Sequence, residues 1–143
     1  METGPCFSEA LLANLRAVCK EQPDLVAVYA FDLHGSGDCN LAAIFTHTPP
    51  WPERLELELA VARALDLDSA ELIGLRRMPL ISRYDVINRG EPIYVGRPEA
   101  LAVFIEDTIV RYQAYYPLLE ALYWKVETKP LSEDRLEEER GAP

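Results

Sequence analysis

The chain has 143 residues, 49% of them apolar or aromatic, enough to bury one core without disulfides or a structural metal. Its 24 acidic and 14 basic side chains give a formal charge of −10. A field of that sign repels phosphate backbones and argues against direct nucleic-acid binding, while it suits either plain solubility or a more basic protein partner. No apolar run is long enough to cross a membrane, and the opening METGPCFSEA lacks a basic-then-apolar signal pattern, which points to a cytoplasmic protein.

Ser8 can cap a first helix that carries Leu11, Leu12, Leu15, Val18 and Cys19 at helical spacing and closes at Pro23. LVAVYAF, Leu25 to Phe31, is apolar and rich in strand formers, so a buried strand is expected. DLHGSGD, Asp32 to Asp38, is a polar, glycine-bearing connection, and CNLAAIF, Cys39 to Phe45, is the second strand. So short a loop makes these two strands antiparallel. The next segment alternates at Leu55 to Leu59, yet its Leu, Glu and Ala residues favour helix and Pro52 suits a first turn, so Pro52 to Leu65 is read as helical. ELIGL, Glu71 to Leu75, forms a third strand.

A helix led by Pro79 follows, with Leu80, Ile81, Tyr84 and Ile87 on its face and Gly90 as its stop. Ile93 to Val95 suffices for an edge strand. Pro98 opens the longest helix, whose face is Leu101, Ile105, Thr108, Ile109, Tyr112, Tyr116, Leu119 and Tyr123; Pro117 inside it predicts a kink or a break. From Val126 the sequence becomes charged. Residues 1–125 are thus expected to form one α/β domain, a small mixed central sheet flanked by helices, and residues 126–143 a charged, disordered tail.

Chemistry concentrates around the first two strands. Residues two apart on a strand face one side, so Asp38 and Asn40 project together. Paired oxygen ligands of this spacing hold Mg²⁺ while leaving room for waters and triphosphate oxygens, and Glu71 at the head of the third strand would complete the cage. Gly35, Ser36 and Gly37 either cradle a phosphate through backbone N–H groups or form a plain turn. His34 and His47 read as solvated, and no Ser or Cys sits in a nucleophile setting. Cys39 points opposite to Asp38 and Asn40, toward the core. Cys6, Cys19 and Cys39, odd in number and without C-x-x-C spacing, read as reduced thiols. Tyr112, Tyr115, Tyr116 and Tyr123 with Trp124 admit two readings, core packing or anchoring of a helical partner.

VYAF, a glycine-serine loop and DCNLAAIF together resemble the minimal nucleotidyltransferases of the DNA-polymerase-beta superfamily, whose pattern is a strand ending in Phe-Gly-Ser, a loop, then Ser-Asp-x-Asp-Leu-x-Val. ELIGLRRMPLISRYDVINRGEPIYV is similar to the family's third acidic strand, the following proline-led helix and its exit, and YQAYYPLLEALY to its last helix. The resemblance runs from Ser8 to Tyr123. It implies the nucleotidyltransferase fold and an MNT protein of the kind that acts as antitoxin to a HEPN-domain ribonuclease toxin, in some cases by transferring AMP from ATP, with Mg²⁺, onto a toxin tyrosine. Asp38 corresponds to the first metal aspartate. Asn40 replaces the second, a neutral amide lacking the charge that holds a hard cation, and Glu71 replaces the third. Asp32-Leu33 stands where the family has Gly-Ser after Phe31. The expectation is a catalytically degenerate antitoxin, a pseudoenzyme that neutralises its HEPN partner by binding, as a homo- or hetero-oligomer. The alternatives are an active Mg-dependent adenylyltransferase using Asp38 and Glu71 with Asp32 as substitute ligand, or a free nucleotide sensor.

Overall fold

The computed structural model describes residues 7–32 and 39–128, of which residues 119 and 123–128 are described by their backbone alone. The described residues fall into two compact units that divide between Thr108 and Ile109. The first holds helix α1 (Glu9–Cys19), strands β1 (Leu25–Phe31) and β2 (Asn40–Phe45), helix α2 (Trp51–Ala64), strand β3 (Leu72–Gly74), a 3-10 turn at Leu75–Arg77, helix α3 (Leu80–Arg89), strand β4 (Glu91–Val95) and the first turns of helix α4 (Pro98–Thr128).

Local chemistry sets these limits. The Ser8 hydroxyl accepts from the N–H of Leu11 at 3.3 Å, satisfying a donor that the first turn of α1 leaves unpaired. Helix α2 ends in a Schellman arrangement: Leu67 N–H donates to the Ala62 carbonyl at 2.8 Å, Asp66 N–H donates to that of Arg63 at 3.2 Å, and Asp66 sits in the left-handed region at φ 58°. Gly90 ends α3 where the backbone runs against β1. A Cβ there would lie 2.5 Å from the Val86 carbonyl oxygen and 3.2 Å from that of Ala30, so only glycine fits without displacement.

The sheet has the order β3-β2-β1-β4. Strand β1 pairs antiparallel with β2 and with β4, and the crossover through α2 brings β3 in parallel to β2. Helices cover both faces, which is why β1, a central strand, is buried along its whole length. On one face Leu12, Leu15 and Cys19 of α1 and Leu57 and Val61 of α2 pack on Val28, Ala30, Leu41 and Ala43. On the other, Leu75, Val86, Leu101 and Phe104 pack on Tyr29, Phe31, Ala42 and Ile44. Strand β4 is the edge strand expected from Ile93 to Val95, begins earlier at Glu91, and carries Pro92 at a register shift opposite β1.

Some details differ from the sequence reading. The buried residue of α3 is Val86, while Ile81 is 52% exposed, because a ten-residue helix lying on β1 has few places that reach the sheet. Cys39 packs half-buried against the core as expected but is disulfide-bonded, correcting the reading of all three cysteines as thiols; sequence spacing does not reveal which distant segments meet. Cys19 is a free, buried cysteine.

The second unit contains the rest of α4. The helix runs unbroken through Pro117 and reaches Thr128, three residues past the expected end of the domain. Tyr112 and Tyr116 lie with ring centroids 5.6 Å apart, and the Tyr116 hydroxyl donates to Glu120 at 3.4 Å. The adjacent Glu120 carboxylate pushes the Tyr116 phenol above its ordinary pKa. From Arg111 to Leu122, every described side chain is exposed except that of Tyr112, which is half-buried. Tyr115 and Tyr116 are therefore outside the core, while the side chains of Tyr123 and Trp124 lie outside the described residues. Among the described residues no helix is long and apolar enough to cross a membrane.

Candidate nucleotidyltransferase site

Three neighbouring strands bring Asp32, Asn40 and Glu71 to one end of the sheet. Phe31, the last residue of β1, pairs with Asn40, the first of β2, so Asp32 leaves the sheet where β2 enters it. The parallel register sets Leu41 beside Leu72, so the residues preceding them, Asn40 and Glu71, enter that pair from the same end. Asn40 is half-buried, whereas Asp32 and Glu71 are exposed. Asp38, the glycine-serine triplet Gly35, Ser36 and Gly37, and His34 lie outside the described residues.

Glu71 lines a cavity of about 530 Å³ together with Trp51, Arg54, Leu55 and Glu58 of α2 and the approach segment Ser69 and Ala70. Its floor is fixed by an ion pair. Arg54 and Glu58, one helical turn apart, approach to 3.8 Å. A terminal guanidinium nitrogen of Arg54 donates to the Leu72 carbonyl, and Glu58 accepts from the Leu72 N–H at 2.9 Å. Both polar groups of the first residue of β3 are thereby held by α2 at the outer side of the sheet, which fixes where Glu71 begins. The sequence reading missed Trp51, Arg54 and Glu58 of α2. An Arg-to-Glu spacing of four was visible, but its target on β3 is a product of packing.

The Mg²⁺ cage that the sequence resemblance implies would need three oxygen donors from Asp38, Asn40 and Glu71, of which Asp38 lies outside the described residues. Among the described residues no three His, Cys, Asp or Glu stand close enough to share a metal ion. Asn40 adds an amide oxygen where a carboxylate is expected, and Asp32 and Glu71 do not join into a cage with any other described carboxylate.

A mixed four-stranded sheet in the order β3-β2-β1-β4 with helices on both faces is the nucleotidyltransferase fold. No family model matches the chain, and no curated protein matches it in sequence. Solved structures do. The chain is similar to one in the crystal structure of the toxin-antitoxin MntA-HepT, with 23% identity and a TM-score of 0.63 over 84% of this chain and 99% of that one. It is similar to one in a toxin-antitoxin structure with AMP-PNP, with 24% identity and a TM-score of 0.61 over 81% and 98%. The tri-AMPylated Shewanella oneidensis HEPN toxin in complex with MNT antitoxin gives 25% identity and a TM-score of 0.60 over 82% and 98%. The chain thus shares the fold of chains from MNT–HEPN toxin-antitoxin structures.

Proposed function

We propose that this chain is the antitoxin of an MNT–HEPN pair, acting in the cytoplasm chiefly by binding its HEPN toxin, with a nucleotidyltransferase centre that has lost its chemistry. The observation that carries the binding reading is the exposed apolar side of the second unit. Val110, Tyr115, Leu118 and Leu122 stand on α4 with 41% or more of their surface open. An isolated helix of this composition gains little stability in water by itself and is completed by a partner surface. The likeness to chains from toxin-antitoxin complexes supports a HEPN protein as that partner. Asn40 in place of a carboxylate supports the degenerate reading.

The likeness to a structure whose toxin is tri-AMPylated, and to one with AMP-PNP, favours a second reading, AMP transfer from ATP with Mg²⁺ to the partner through Asp38 and Glu71, with Asp32 as substitute ligand. Co-expression with a HEPN toxin that the native chain neutralises separates the two. Under the binding reading, Asp38→Ala still rescues growth while Leu118→Glu with Leu122→Glu does not. Loss of rescue in Asp38→Ala, with an AMP mass adduct on the toxin from the native protein only, establishes the enzyme instead.

A further inference from the structure

We infer that the cavity between the first turns of α2 and the Ser69–Glu71 segment receives an arginine or lysine side chain of a protein partner. This deepens the proposed function and rests on it for the partner being a protein. The cavity joins two features that attract a cation. Trp51, 72% exposed, offers an indole face, the ring that attracts ammonium and guanidinium groups most strongly. Glu71 offers a carboxylate that makes no ion pair with any described residue. The other two charges of the lining cancel. Arg54 and Glu58 face each other and are engaged by the Leu72 backbone, so one negative charge is left over.

An anionic ligand is disfavoured by that residual charge and by the formal charge of −10 on the chain, which raises the local concentration of cationic groups. A long basic side chain suits the walls, because its methylene stem can lie on Leu55 while its head reaches Glu71. Trp51, Leu55 and Leu59 recur every four residues along α2 and are all exposed, giving the flanks of a basic segment an apolar stripe to lie on.

The test uses the full chain with Trp124→Phe, so that Trp51 is its single tryptophan, and follows its fluorescence on titration with Nα-acetyl-arginine methylamide. The citrulline analogue, equal in shape and uncharged, is the paired probe, and AMP is the competitor. A saturable response to the arginine probe is expected, about tenfold weaker for citrulline and for Glu71→Gln. Equal binding of citrulline, no response to arginine, or displacement by AMP overturns the inference, the last marking a nucleotide pocket. Thermal melts of Glu71→Gln confirm that the exposed substitution leaves the fold intact. Failure here with toxin rescue preserved removes the cation site alone, whereas loss of rescue with arginine binding preserved removes the antitoxin reading alone.

Discussion

Glu58 of α2 accepts a 2.9 Å hydrogen bond from the backbone N–H of Leu72, the first residue of β3. The bond is partly shielded, with 18% of the Glu58 side chain exposed, and its acceptor is charged. Glu58→Ala therefore strips a peptide N–H of its partner and leaves Arg54 without its counter-charge. A loss of about 1–3 kcal/mol is expected in urea denaturation, with Glu58→Gln recovering part of it through the remaining amide oxygen.

Thr108 is fully buried on α4, and its hydroxyl has no hydrogen-bond partner among the described residues. Valine has nearly the same shape and no polar atom to desolvate. Thr108→Val is expected to raise stability by about 1 kcal/mol, read as a higher urea midpoint at unchanged slope.

Asp66 holds a positive φ of 58° at the end of α2. Glycine adopts that conformation without the crowding that a Cβ brings. Asp66→Gly is expected to stabilise by roughly 0.5–1 kcal/mol in the same assay, a gain that Asp66→Ala will not show.

Burial pushes the Cys19 thiol up from 9.0 to about 12, and burial also raises the Tyr29 and Tyr94 phenols. Each group is neutral when protonated and its folded pKa lies above the unfolded one. The folded state is thus undiminished below pH 9, loses stability as pH climbs from there, and has lost the Cys19 contribution above about 12. The slope in that window is roughly 1.4 kcal/mol per pH unit for one fully shifted group. Denaturation midpoints at pH 8 and in the alkaline range should separate accordingly, less so in Cys19→Ala. A flat profile would refute the linkage.

Much of the fold was legible because the strongest local signals are also tertiary ones. Leu25 to Phe31 reads as a strand since it is apolar throughout, and it is apolar throughout because helices cover both its faces. The Ser8 cap, the proline-led helices and the antiparallel first pair follow from rules acting over a few residues. Phe104 was missed on α4, where neighbouring apolar residues compete for one stripe, and it is Phe104 that meets the core, with the Arg76 and Arg83 guanidiniums 4.9 and 5.7 Å from its ring centroid.

The site was legible only in part. Asn40 and Glu71, 31 positions apart in sequence, enter neighbouring strands at one end because β2 and β3 run parallel. The cavity walls were not legible. Trp51, Arg54 and Glu58 look like ordinary members of a surface helix until β3 is laid beside them. Aromatic density in α4 likewise says nothing of burial, since Tyr115 and Tyr116 would look the same inside a core.

Pro92 brings no N–H to β4, and at the opposite margin the Leu72 backbone is already engaged by α2. An extended peptide therefore finds little to zip onto on either side. A chain built this way offers no ready template for edge-to-edge stacking, the first step toward a fibril.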